Sequence, residues 1–240
     1  MVIAIWGRDG ADKSTLSDML GVLFSKKGIC IVIDTDLTQP TIPARVHGAA
    51  GEGKKSLGYA VSGAVITDIR PYLHQHPRHK GLFYAGLTDG DDFLSYELGL
   101  ESDGSARDFI DRCNEQADTV ILDLSGQRCD PFLPAALSGA EHIILPIVPD
   151  VQGLCWFLSV RPLLESMGAQ GRAVPIAAKA QPFHDIGSIE KMGGLSFAAV
   201  FPYMRDTAVL RDTGETAATG RHSKPLRQLV SRLTGGGKNA

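Results

Sequence analysis

The sequence predicts an α/β fold: a mostly parallel central sheet with helices on both faces. Three observations carry this. Apolar runs of strand length alternate with amphipathic stretches along most of the chain, the pattern of strands joined by crossover helices. Two of those runs, 29–34 and 119–123, end in aspartate. The first fifteen residues, MVIAIWGRDGADKST, read as strand, turn and helix, with Gly7 and Lys13-Ser14 in the turn. At 240 residues the chain is long enough for one full domain with a covered sheet and a little short for two, so residues 1–240 are read as a single domain.

The elements follow in order. Val2 to Trp6 is strand one, the turn runs from Gly7 to Lys13, and a helix runs from Ser14 to about Lys27 with Gly28 as its C-terminal cap. Strand two is Ile29 to Asp34. Thr35 to Lys55 is polar, carries two prolines and has no clean period, so it reads as a surface loop. Ser56 to Ser62 is a short helix, and Val65 to Tyr72 is ambiguous, with Pro71 breaking any helix. Strands are expected at 81–87, 119–124, 142–148, 173–178 and 197–201. Helices are expected at 105–117, with Phe109 and Ile110 inward, and at 132–138, 151–167 and from Thr207 to Arg211 onward. Pro162 should kink the 151–167 helix or start a second piece. Residues 223–233 (SKPLRQLVSRL) place Leu226, Leu229, Val230 and Leu233 on one helical face.

Composition narrows the function classes. Hydrophobic content of 43% with 21% charged residues is that of a folded globular chain. No apolar run approaches the roughly 20 residues of a transmembrane helix, and no basic region precedes the N-terminal apolar stretch. A net charge of −3 gives no general attraction to nucleic acid or anionic lipid. The cysteines at 30, 113, 129 and 155 are scattered without metal-ligand spacing, which fits a reducing cytoplasm. His74-Gln75-His76-Pro77-Arg78-His79-Lys80 matches no common metal site and reads as a solvated loop, or as a contact patch for an acidic partner.

The N-terminal turn is in the frame of the phosphate-binding loop G-x-x-x-x-G-K-[ST]. In that frame backbone N–H groups and the helix N-terminus hold phosphates, the lysine neutralises them and the hydroxyl reaches Mg²⁺. Lys13 and Ser14 are in register, but the second glycine is replaced by Asp12.

Further stretches agree: Ile29 to Asp34 ends in Asp34-Thr35-Asp36, Thr119 to Asp123 ends in Asp123-Leu124-Ser125-Gly126, and Ala198 to Pro202 is followed by Tyr203-Met204-Arg205-Asp206. Together these motifs, from Met1 to about Glu215, resemble the MinD/ParA group of P-loop ATPases. Within it the AIWG start and the segment D-T-D-L-T-Q-P look closest to CpaE/TadZ-like members, localisation factors for pilus assembly. The resemblance implies ATP and Mg²⁺ as cofactors. Gly7, Arg8, Gly10, Asp12, Lys13, Ser14 and Thr15 would form the phosphate loop, and Pro202 and Tyr203 would lie beside the base. Ser14, Asp34 and Asp123 would form the metal shell. Lys13 would contact the outer phosphates in catalysis and Asp36 would orient the attacking water. Aspartates at strand ends also cap loops, the alternative role for Asp34 and Asp36.

The departures matter. Arg8 aligns with the group's signature lysine, which crosses to the partner subunit's nucleotide in a dimer; arginine keeps the charge. Asp9 and Asp12 replace glycines. A carboxylate about 5 Å from a phosphate oxygen repels it by about 3 kcal/mol at an effective dielectric near 20, roughly a hundredfold in affinity. Ion pairs of Asp9 or Asp12 with Arg8 or Lys13 are the ligand-free alternative. Ala177-Ala178-Lys179-Ala180 stands where the group often has a base-side asparagine. The expected protein is a cytoplasmic positioning factor, recruited to a cell pole or membrane surface. It dimerises, engages protein partners of an assembly or partition machine, and has weak or lost ATPase activity. The alternatives are a nucleotide-free scaffold, a DNA-partition ATPase using Arg205, Arg211, Arg221, Lys224, Arg227 and Arg232, and, least supported, a small-molecule kinase or ligase. For 223–233 the expectation is a terminal helix packed on the domain, with a membrane anchor as the alternative.

Overall fold

A computed structural model describes residues 1–46, 54–63, 65–92, 94–205 and 220–235. The expected helix beginning at Thr207 lies outside the described residues, as do Arg211 and part of the 35–55 segment.

Eight strands form one sheet: β1 (Val2–Ile5), β2 (Cys30–Asp34), β3 (His74–Gln75), β4 (Leu82–Ala85), β5 (Thr119–Asp123), β6 (His142–Ile147), β7 (Ala173–Ala180) and β8 (Val200–Pro202). Their order across the sheet is β3-β4-β2-β5-β1-β6-β7-β8. Every pairing is parallel except β3 with β4. The helices are α1 (Lys13–Phe24), α2 (Ile42–Arg45), α3 (Leu57–Val61), α4 (Ser102–Gln116), α5 (Phe132–Gly139), α6 (Val151–Ser166), α7 (Ile186–Gly193) and α8 (Ser223–Leu233).

Period-two alternation divides the strand side chains between two cores. Val2, Ala4, Ile31, Ile33, Val120 and Leu122 pack against Leu57, Phe109, Phe132 and Phe157 on one face. Ile3, Ile5, Val32, Ile121 and Ile144 pack against Leu16 and Leu20 of α1 and Leu226, Leu229 and Leu233 of α8 on the other. The apolar side of α8 is therefore covered by the domain, and the solvent side carries Lys224, Arg227 and Arg232. No helix among the described residues is long and apolar enough to cross a membrane.

Some expectations change. Helix α1 ends at Phe24, and Ser25 closes it by donating its N–H to the Gly21 carbonyl, so Gly28 is not its cap. A Cβ on Gly28 would lie 2.2 Å from Asp118 Oδ2; close approach explains the glycine. Residues 42–45 fold into α2 rather than staying a surface loop, because Ile42 and Arg45 are both buried. Helix α6 is one piece: Pro162 sits on its exposed face, where water can take the carbonyl left without an N–H. Helix α7 and the antiparallel strand β3 have no clear sequence signal. His74 and His76 are buried rather than solvated. Burial pushes His76 down to about 4, with His79 and Arg78 adding to the effect. Its Nδ1 accepts from the backbone N–H groups of Arg78 (3.0 Å) and His79 (3.2 Å), which turns the chain from β3 toward β4.

Candidate functional site

The strand order reverses at β1, whose neighbours are β5 and β6. In open parallel sheets such a switch opens a crevice at the carboxyl ends of the strands. Here it holds a cleft of about 620 Å³ lined by the β1–α1 loop, the ends of β2 and β5, α2, Lys179 and residues 203–205. That volume suits a small-molecule ligand. The cleft brings together Gly10, Asp12, Lys13, Ser14, Thr15, Asp34, Asp36, Asp123 and Tyr203. Gly7 sits behind the loop, where a Cβ would meet the Pro146 carbonyl oxygen at 2.9 Å. Pro202 lines a narrower neighbouring recess with Ala178, Phe201 and His222, and His222 Nε2 lies 3.0 Å from the Pro202 carbonyl oxygen.

The loop turns at two left-handed residues, Gly10 (φ 78°) and Asp12 (φ 59°). The backbone at Asp12 is one that glycine adopts freely, and aspartate is among the few other residues that tolerate it. Asp12 is the N-terminal boundary residue of α1, yet its side chain makes no capping bond. It points instead to Lys179, whose Nζ is 3.0 Å from Asp12 Oδ1. Lys179 has φ 53° at an irregularity in the β7–β8 register. Such a bulge re-aims a side chain that a regular strand would direct elsewhere.

Each of the loop's own cations is also paired. Lys13 Nζ lies 3.4 Å from Asp9 Oδ1 and donates to the Arg8 carbonyl at 3.3 Å. Arg8 turns to the start of α6, donating to Asp150 Oδ2 (3.1 Å) and Gln152 Oε1 (3.0 Å). Of the ion pairs expected within the loop, Asp9 with Lys13 forms. Asp12 and Arg8 find partners more than a hundred residues away, outside the loop.

Asp34 and Asp123 are register partners across β2 and β5, which sets their carboxyls side by side. Both are engaged by Arg45, whose side chain is 3% exposed. Arg45 Nε donates to Asp34 Oδ2 at 2.9 Å, and Nη2 lies 2.7 Å from the same oxygen and against Asp123 Oδ2. Nη1 donates to Asp18 Oδ1 at 2.5 Å and to Ser17 Oγ at 3.2 Å. The ring of Tyr84 lies 5.6 Å from the guanidinium carbon, and its hydroxyl donates to Asp18 at 3.1 Å. Burial pushes the Asp18 and Asp34 carboxyls above the usual range, with Arg45 pulling against it. Burial disfavours the Arg45 charge, but Asp18, Asp34 and Asp123 outweigh it and hold the guanidinium charged.

This donor set does not fit the expected Mg²⁺ shell. Ser14 lines the cleft, but the inward carboxylate oxygens of Asp34 and Asp123 already face a buried cation. Asp36 lines the cleft while holding its own turn, accepting from Thr38 N (2.9 Å) and Gln39 Nε2 (3.2 Å). Behind it, Thr35 Oγ1 donates to buried Asp130, which also accepts from Ser125 N (3.1 Å) and Phe132 N (2.9 Å). Burial pushes Asp130 up to about 6 against those hydrogen bonds. Sequence reasoning did not single out Arg45, Asp18, Asp130 or Asp150 for the site. Arg45 lies in a polar stretch with two prolines and no period, which reads as a surface loop and gives no signal for a buried cation.

No family model and no curated protein matches the sequence. Solved structures do. The septum site-determining protein MinD from Pyrococcus horikoshii, complexed with Mg-ADP, aligns over 97% of this chain and 95% of that chain, with a TM-score of 0.77 at 16% identity. A putative plasmid partition protein from Borrelia burgdorferi, bound to AMPPNP, aligns over 98% of each chain, with a TM-score of 0.80 at 14% identity. A chain of the MinC:MinD cell division protein complex of Aquifex aeolicus aligns over 98% of this chain and 96% of that chain, with a TM-score of 0.74 at 17% identity. At these identities the likeness establishes the fold: a mostly parallel sheet of the MinD/ParA P-loop type.

Proposed function

We propose that this chain is a MinD/ParA-like positioning protein in which nucleotide hydrolysis is weak or lost. It would dimerise and recruit protein partners of an assembly or partition machine, on the pattern of CpaE/TadZ-like localisation factors. Lys13, Ser14, Thr15 and the loop N–H groups would hold phosphates, with Tyr203 and Pro202 beside the base. Support for the site comes from the shared cleft at the carboxyl ends of β1, β2 and β5. Support for lost hydrolysis rests on Arg45, which holds the two carboxylates that would shape the metal shell; Asp36, bound into its own turn, agrees with it.

Charge favours the weak-binding version. The cleft already pairs Lys13 with Asp9 and Lys179 with Asp12, and beside it Arg8 is paired with Asp150. A polyphosphate must displace those carboxylates before it gains the cations. A bound Mg²⁺, in the proteins that use it, offsets phosphate charge and polarises the γ-phosphate.

Calorimetric titration of ATP in Mg²⁺ buffer, with Lys13→Ala as the blank, tests the reading. Weak binding abolished by Lys13→Ala, with no measurable turnover, is the expected result. Rapid hydrolysis would refute the lost-ATPase part. Absence of binding in the wild type and in variants relieved of Asp12 would leave a nucleotide-free scaffold on this fold.

A further inference from the structure

We propose that Arg45 is the resident cation of this site, and that by holding the carboxylates expected to shape a Mg²⁺ shell its guanidinium excludes a divalent metal. The inference deepens the functional reading, since a site closed to the metal cannot use it to hydrolyse ATP.

The geometry carries it. Carboxylates from separate elements converge on one guanidinium: Asp18 from α1, Asp34 from the end of β2 and Asp123 from the end of β5. Asp34 and Asp123 meet because β2 and β5 are in parallel register. Helix α2 is short, but Ile42 anchors it in the core beside α1, which fixes where Arg45 enters. Pro43 sets the first turn of that helix. The Arg45 side chain is 3% exposed, and those of Asp34 and Asp123 are 6% and 2% exposed. Buried carboxylates need a counter-charge, and a planar guanidinium with several donors can serve several oxygens where an ammonium could not. The Tyr84 ring packed by the guanidinium and the Tyr84 hydroxyl bonded to Asp18 fix the arrangement further. A metal entering here would have to expel a charged side chain from a pocket built for it.

Removing the guanidinium leaves the two buried carboxylates of Asp34 and Asp123, and the part-buried one of Asp18, without this counter-charge, an imbalance that a small divalent cation relieves. Mn²⁺ alone is the probe, followed by the loss of its free electron paramagnetic resonance signal on titration with protein. Wild type is expected to leave the signal unchanged. Arg45→Ala is expected to take up Mn²⁺ at least about a hundredfold more tightly than wild type, and the double variant with Asp123→Asn to lose that uptake. Mg²⁺ should raise the melting temperature of Arg45→Ala and leave that of wild type unmoved. Arg45→Gln, which keeps more of the side-chain volume, carries the same comparison if the alanine variant does not fold.

Mn²⁺ uptake by wild type that disappears in Asp123→Asn overturns the inference. So does a folded Arg45→Ala or Arg45→Gln protein that binds Mn²⁺ no better than wild type. Because the readout uses metal alone, a failed ATP titration leaves this result standing, and a failed metal titration leaves the ATP result standing.

Discussion

Replacing Asp12 separates charge from backbone in the phosphate loop. Asp12 Oδ1 is 3.0 Å from Lys179 Nζ, and the two side chains are 30% and 29% exposed. In Asp12→Gly the cleft loses one negative charge and Lys179 is left without this partner. At about 5 Å from a phosphate oxygen and an effective dielectric near 20, that change is worth about 3 kcal/mol. Partial exposure screens it, and about 1.5–2 kcal/mol is the expected gain, roughly ten- to thirtyfold in ATP affinity. Stability should barely move, because relief of the left-handed backbone offsets a surface ion pair worth about 1 kcal/mol or less. Asp12→Asn is the discriminating control: it removes the charge and retains a side chain that tolerates the left-handed region. Calorimetric titration of ATP into wild type, Asp12→Gly and Asp12→Asn should show both variants gaining affinity to a similar degree. A gain in the glycine variant alone would locate the obstacle in the backbone and refute the charge argument. No gain in either would refute the role given to Asp12 altogether.

Other perturbations follow from the same geometry. Lys179→Ala should weaken ATP binding further in the wild-type background, and in Asp12→Gly it should cancel most of the affinity gained, both read by the same titration. Asp130, at about 6 in the fold against 3.8 unfolded, binds a proton more tightly when folded, so its contribution to stability falls as pH rises from about 4 to 6. His76 runs the other way: at about 4 in the fold against 6.5 unfolded, its contribution is lost as pH falls from about 6.5 to 4. Denaturant unfolding across that window should show Asp130→Asn steepening the rise of stability with pH and His76→Gln flattening it; unchanged slopes would refute both assignments. Leu229, fully buried between α8 and the sheet, should cost about 2–5 kcal/mol when changed to alanine, read from chemical denaturation. A change near zero would return the terminal helix to the role of a detachable anchor.

The sequence alone determined the parts whose signal is local. Alternating apolar runs and helical stretches specify the parallel sheet, because each strand must bury both faces and each connection must cover one. Lys13, Ser14, Asp34, Asp36 and Asp123 are legible because they stand at strand ends or helix starts, and those ends share one edge of any such sheet. Tertiary structure decided which charges meet. Arg45 lies eleven residues from Asp34 but 78 from Asp123, and both contacts exist only because β2 and β5 align beneath α2. Lys179 reaches Asp12 through a bulge that no composition or period encodes, and Arg8 finds Asp150 across 142 residues of chain. Burial of His74 and His76 likewise depends on the edge strand folding back antiparallel to β4. A loop's sequence records which charges it carries; their partners are chosen by the loops that the sheet order brings alongside, and burial then decides which pairings persist.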